Sequence, residues 1–490
     1  MPSAVRALDA TPVATLADYI AAGGGTALTQ ARDLGPAAVI ANVRDAGVRG
    51  RGGAGFPTGV KWQTVAANAS PTEPSSVVVN SAEGEPGSFK DRAIVRANPY
   101  RVLEGALIGA FAVGANEIFV GMKRNATRSI ERMNAAIAEV VAAKWAEGVE
   151  ISVVEGPPEY LLGEETGLLE VIDGRSPFPR IDPPYRRGVD EVVEHTDDLL
   201  TGSSSSAHVK LAGPGQQSEA PPTLVDNVET LAHVALVLQH GVDWFRSIGT
   251  ANSPGTFVCT VSGATARAGV GELEMGTTLR EAIELVGGGV RAGHTIAAVL
   301  QGVSARVISG DQLDTPCTWE DMQAIGSGLG AAAFIVFDET SDPVTIAAAV
   351  ARFLGVESCG QCTPCKQDGM AISDALQRLC DSEPEPRDLD TIRRRLVTVA
   401  DSARCSLATQ HQDVVGSIFD AHTEAFEKRG RKECQPEDAA VVLPLLDLDN
   451  GVPVMDTEQL RKQPDWTFSE HWNGQSPADR LDDHRAHEQL

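Results

Sequence analysis

Hydrophobic positions change their period along the chain, and each change marks an element. Val77-Val78-Val79, Ile118-Phe119-Val120 and residues 151–154 are short runs rich in β-branched residues and read as strands. Between them, Asn98-Pro99 supplies an N-cap and a first-turn proline for a helix to about 112. Ile130, Met133, Ile137 and Val141 then recur at helical spacing. Strand alternating with helix predicts a parallel α/β sheet within 47–245, preceded by a helical segment over 1–46 whose clearest helix is 37–45. Residues 186–221 interrupt this pattern with an acidic stretch, a serine run and Gly213-Pro214-Gly215, which reads as a solvated insertion loop.

A smaller α+β unit follows at 253–340. Strands are expected at 257–261, 297–300 and 333–337. Thr278-Leu279-Arg280-Glu281 is a capping box that opens a helix with Leu279, Ala282, Ile283 and Val286 on its apolar face, stopped by Gly287-Gly288-Gly289. From 343 to 433 the period is helical throughout. Leu389, Ile392, Leu396 and Val399 form one stripe, and Val415, Ile418, Phe419, His422 and Phe426 another, as in a helical bundle. Beyond Cys434 the chain turns polar, and 434–490 is expected to be a tail that covers a neighbour or stays disordered.

Composition narrows the function classes. The 490 residues suggest about three domains. A net charge of −26 argues against nucleic acid and anionic lipid as partners. The longest apolar runs, 106–115 and 329–337, fall well short of the roughly 18 residues of a membrane span. No apolar segment follows the start, so no signal peptide is expected. The cysteine count is too low for a disulfide scaffold, and the expected compartment is the cytoplasm, with any membrane association made through a complex.

Four cysteines carry the strongest local signal. Cys359, Cys362 and Cys365 stand at three-residue intervals, and Cys405 lies 40 positions further on. Thiolates so spaced suit three corners of a [4Fe–4S] cubane with a remote fourth ligand. A four-cysteine zinc site is the competing reading.

Two loops are ambiguous taken singly. Residues 47–62 are dense in glycine, and exposed N–H groups with Arg51 and Lys61 make a phosphate cradle or merely a structural turn. Residues 80–92 follow a strand, where α/β sheets bind ligands, yet a self-paired solvated turn would look the same. Gly163-Glu164-Glu165-Thr166 and Asp226-Asn227-Val228-Glu229 each read first as a capped helix start.

Order removes much of that ambiguity. RGRGGAGFPTGVKW at 49–62, NSAEGEPGSFKDR at 80–92, YLLGEET at 160–166, NVET at 227–230 and ESCGQCTPC at 357–365 precede the lone Cys405. This series resembles the NADH-oxidising flavoprotein subunit of respiratory complex I and its relatives in NAD-linked hydrogenases and formate dehydrogenases, over roughly 15–430. The resemblance implies a Rossmann-like FMN/NADH domain, a ubiquitin-like domain and a bundle with one [4Fe–4S] cluster on Cys359, Cys362, Cys365 and Cys405. It implies FMN held by Gly50, Gly52, Gly53, Lys61, Asn80, Tyr160, Gly163, Glu164 and Asn227. Phe56 and Glu83 would line the nicotinamide site, Tyr185 would offer a stacking ring, and Glu165 would lie close to both cofactors. Glu83 and Glu165 are thus the catalytic candidates. Hydride would pass between NAD(H) and FMN, and single electrons through the cluster. A thioredoxin-like [2Fe–2S] subunit and a larger iron–sulfur or catalytic subunit are the implied partners, the former not fused here because no second cysteine set exists.

The chain departs from that pattern around one pocket. Ala82 replaces a usual Asp, Asp226 a usual Asn, Asp182 a usual Lys, Thr64 a stacking Phe and Leu162 a common Cys. Two readings follow: a retuned NADH-oxidising subunit, or a structural or electron-relay subunit that keeps the cluster with an idle flavin pocket.

Overall fold

The computed structural model describes residues 6–69, 74–189, 221–433 and 440–480. Four parallel strands, β1 (Ser76–Ser81), β2 (Glu117–Lys123), β3 (Glu150–Gly156) and β4 (Thr223–Asn227), form a sheet of order β3-β2-β1-β4. Val77 and Val79 join the main core, while Val78 joins a second cluster on the opposite face. Burial on both faces explains why β1 reads as an unbroken apolar run. Helices Pro99–Val113 and Val228–His240 are buried on nearly every side, so neither shows a one-sided stripe.

The chain builds outward from β1 through β2 to β3, then returns to place β4 on the far side of β1. That reversal opens a crevice at the carboxyl ends of β1 and β4, the place where open α/β sheets bind ligands. Asn80 and Asn227 are register partners at its floor.

A second sheet of order β6-β5-β9-β7-β8 contains β5 (Thr256–Gly263), β6 (Gly269–Glu274), β7 (Ile296–Gln301), β8 (Ile308–Ser309) and β9 (Ala333–Asp338). The capping box at Thr278 and Glu281 forms, and Leu279, Ala282, Ile283 and Val286 are all buried. The bundle comprises helices Pro343–Glu357, Thr363–Cys380, Asp388–Thr398, Leu407–Ala421 and Thr423–Gly430.

Some expectations differ in detail. Val140 rather than Val141 faces the core of helix Thr127–Ala142, because the buried face is centred on Met133, Ala136 and Val140, and the next residue is turned about 100° away. His422 ends its helix exposed instead of completing the second bundle stripe. The polar stretch after Cys434 is folded where it is described. β10 (Leu445–Asp449) and β11 (Val452–Met455) pair as a hairpin, and residues 457–480 pack on the bundle through buried Lys462 and Trp466. Most of the insertion read at 186–221 lies outside the described residues, as do Cys434 and 481–490.

Candidate cofactor sites

The crevice is walled by the glycine loop. Gly50 N–H donates to the Phe56 carbonyl at 2.8 Å, and Arg51 N–H to Thr230 Oγ1 at 2.8 Å, which ties the loop to the helix after β4. A Cβ on Gly52 would stand 3.6 Å from the Cβ of Asn227, so bare backbone lines the cleft there. Gly55 takes φ +64°, and a side chain on it would strike the Trp319 indole. Gly53 lies beside Gly330 of the second sheet's unit. Phe56 is 51% exposed, so its ring is open to an incoming ligand.

Lys61 comes from the helix that follows this loop. Its Nζ donates to Glu165 Oε2 at 3.1 Å and to the Val225 carbonyl at 2.9 Å. Burial works against its charge, but Asp226 and Glu165 hold its pKa above the ordinary lysine value. Asn80 Nδ2 donates to the Gly163 carbonyl at 2.9 Å, joining the loop after β1 to the turn Tyr160–Gly163. Glu164 caps the next helix by accepting from Thr166 and Gly167 N–H groups, and burial raises its pKa. Asn227 accepts from the Glu229 N–H and from Lys90 Nζ, and donates to Asp91. Tyr185 packs on the main core with the Arg186 guanidinium 5.8 Å from its ring.

The two expected acids diverge. Glu165 is half-exposed and faces Lys61. Glu83 turns inward: Ser88 Oγ donates to Oε1 at 2.5 Å and Arg92 Nε to Oε2 at 2.9 Å, with the Asp91 and Arg92 N–H groups completing its shell. Burial opposes its charge, yet Arg92, Ser88 and Lys90 hold Glu83 below the usual carboxylate range. Two residues on, Glu85 accepts from Tyr160 Oη at 2.6 Å and from Val303 N–H at 2.6 Å. Burial pushes Glu85 up to about 7. Alternation along this loop is irregular, so sequence offered no means of choosing between the two acids. Arg51, read with Lys61 as a phosphate partner, is also turned inward. It stacks 4.6 Å from the Trp319 ring centre, donates to the Thr256 carbonyl and faces Glu229.

Asp226 is buried and accepts from Trp62 Nε1 at 2.6 Å, and burial pushes its pKa up to about 6. Ala82 and Leu162 share one apolar cluster with Val78, Phe119 and Leu168, so these two departures are matched by packing.

Leu161, in the same turn as Gly163, lines a second pocket with Cys359, Cys362, Cys365 and Cys405. Cys362 is the N-cap of helix Thr363–Cys380, and Cys365 lies in its first turn, where the helix dipole favours thiolate. Lys366 Nζ donates to the carbonyls of Gly355, Val356 and Ser358 and so fixes the loop entering the run. Burial pushes the Cys365 thiol up to about 11 and Cys405 up to about 12. Such thiols ionise only against added positive charge, and four of them on one pocket fit an iron–sulfur cluster. The crevice fits a flavin phosphate and ring by its own features: the bare Gly52 wall, Lys61, and the buried Thr58 Oγ1 at a helix start, which lacks a partner among the described residues. A crevice at the strand ends joined by one turn to a four-thiol pocket defines a flavin- and iron–sulfur-binding oxidoreductase subunit.

Similarity to known proteins agrees. Residues 43–236 match the family model of the Nuo51 FMN-binding domain, and 345–429 that of the NADH-ubiquinone oxidoreductase-F iron–sulfur binding region. The chain is 34% identical to the second NADH-quinone oxidoreductase F subunit of Rhizobium meliloti, covering 83% of this chain and 92% of that protein. It is 35% identical to the NADH-quinone oxidoreductase F subunit of Mycobacterium tuberculosis, over 77% and 80% of the two chains. An NAD+-reducing [NiFe]-hydrogenase in its H2-reduced state superposes with TM-score 0.70 at 29% identity, over 88% of this chain and 67% of that one. The chain belongs to the F-subunit family of NADH-quinone oxidoreductases, whose members are components of multi-subunit oxidoreductases. Among the described residues no helix is long and apolar enough to cross a membrane.

Proposed function

We propose that this chain exchanges hydride between NAD(H) and FMN in the crevice and passes single electrons on through a [4Fe–4S] cluster held by Cys359, Cys362, Cys365 and Cys405. The observation that carries the reading is the turn Tyr160–Gly163 with the two glutamates after it. Leu161 lines the thiol pocket, the Gly163 carbonyl is bonded to Asn80 in the crevice, and Glu165 meets Lys61. One short segment thus keeps the two cofactor sites at a fixed separation.

Flavin supplies the step from two-electron to one-electron chemistry; the protein supplies geometry and charge. Gly50, Gly52 and Gly53 let backbone approach the cofactor, with Asn80, Tyr160, Gly163, Glu164 and Asn227 fixing its edges. Lys61 brings positive charge beside it. Phe56 and Tyr185 offer rings to the dinucleotide. Glu165 keeps Lys61 oriented, while Glu83 holds the loop's shape through Arg92 and leaves Glu85 at the junction with Tyr160. The partners are an electron-accepting iron–sulfur subunit, thioredoxin-like with a [2Fe–2S] centre, and a larger iron–sulfur or catalytic subunit.

An anaerobic visible spectrum of the purified chain tests this. A flavin band that bleaches on NADH addition supports the reading. Iron–sulfur absorption alone, unchanged by NADH, replaces it with the electron-relay reading.

A further inference from the structure

Residues 457–480 lie beyond both family-model matches, yet they touch the cysteine loop directly. Ala478 N–H donates to the Cys359 carbonyl at 2.9 Å. Gly360 takes φ +87°, and a Cβ there would stand 2.2 Å from the Cβ of Ser476, so loop and segment are in close contact. Trp466 Nε1 donates to the Val356 carbonyl at 3.0 Å, and its ring lies 5.7 Å from Phe178. Arg352 Nη2 holds the carbonyls of Leu460 and Lys462, and Arg480 closes the segment on itself by pairing with Asp465 at 2.8 Å.

The charge at the centre of this contact is fully buried. Lys462 Nζ donates to Glu357 Oε1 at 2.8 Å, and Gln459 Nε2 to the same oxygen at 2.7 Å. The other oxygen, Oε2, accepts from the Tyr160 N–H at 2.9 Å. Glu357 is 1% and Lys462 2% exposed. Glu357 therefore joins the segment, the turn Tyr160–Gly163 and the start of the cysteine run. Lys462 also faces the less buried Glu159 at 3.7 Å, so removing the lysine strands the Glu357 carboxylate, whereas removing both members of the central pair does not.

We propose that residues 457–480 are a strap that clamps the loop carrying Cys359, Cys362 and Cys365, with Lys462 and Glu357 as its positioning residues; this rests on the reading that the four-cysteine pocket holds an iron–sulfur cluster. The strap braces the Cys359 end of the loop, and Lys462 neutralises the carboxylate that accepts the Tyr160 N–H of the turn shared by both cofactor sites.

The test is the rate of iron loss to a coloured ferrous chelator from the anaerobically purified chain. Lys462→Met should lose iron at least about tenfold faster than the parent. The double variant Lys462→Met/Glu357→Gln should return close to the parent rate, which a general loss of packing would not allow. Arg480→Ala, which unpins the strap's end from Asp465, should also lose iron faster, and it serves as the test if Lys462→Met does not fold. Equal rates in the parent and the folded single variants overturn the strap alone. A parent chain without iron overturns the cluster reading and the strap with it.

Discussion

Three of the four thiols at the bundle come from one run at a helix start, whereas the crevice at the sheet draws its side chains from segments spread between Gly50 and Asn227. In the first site local spacing sets the geometry, and every ligand expected from the sequence lines the pocket. In the second, tertiary packing sets it, and the residues expected there separate into those that face the cleft and those that support it. The five departures read from the resemblance all lie within 43–236, the domain that holds the second site. The structure absorbs three of them internally: Ala82 and Leu162 in one apolar cluster, and Asp226 on the Trp62 indole. A site assembled from distant segments can change one contributor at a time, while a cubane that loses a thiolate leaves one of its irons without its protein ligand.

That contrast orders the expected effects of mutation. Cys405→Ser should be the most severe, taking iron from about four per chain to well below that while flavin content holds. Iron and flavin assays on one preparation check this, and joint loss of both would couple the sites more tightly than their separate segments suggest.

Asp226→Asn should act on stability. Burial raises the Asp226 carboxyl from 3.8 to about 6, so the folded chain binds that proton more tightly than the unfolded chain. Stability from this group is therefore lost as pH rises from about 4 to about 6. The Asn variant, which can still accept from Trp62, should gain up to about 3 kcal/mol above pH 6 and nothing below pH 4. Denaturant melts across that range would show it, and a pH-independent difference would place the charge elsewhere.

Lys61→Ala should weaken FMN binding about ten- to a hundred-fold, as expected when a hydrogen bond to a charged group is lost. Fluorescence titration of the flavin-free chain measures it. Phe56→Ala should be mildest, because the ring is exposed: the melting temperature should hold while the NADH KM rises by roughly three- to tenfold. An unchanged KM would remove Phe56 from the dinucleotide site.

Legibility followed the same division. Capping box and apolar face at Thr278–Val286 were readable because cap, period and stop all agree locally. Strand β6, Gly-Val-Gly-Glu-Leu-Glu, carried no such agreement; its pairing with β5 is what makes it a strand. The glycine loop showed its composition in the sequence, but Arg51 faces inward because Trp319 and Glu229, far along the chain, receive it. Glu83 and Glu85 look alike in a loop without period, and only Arg92 and Tyr160 distinguish them. Residues 457–480 read as part of a polar tail that covers a neighbour or stays disordered, since nothing local to Lys462 shows that Glu357 waits to pair with it.

Electron flow from the crevice to the cysteine pocket, across the turn Tyr160–Gly163, is the step on which the proposed function depends. Rapid mixing with NADH, followed by freezing and EPR, observes that step itself. Flavin absorption should fall first, and a reduced-cluster signal should appear within the same turnover. Flavin that bleaches fully while the cluster stays oxidised would contradict the coupling.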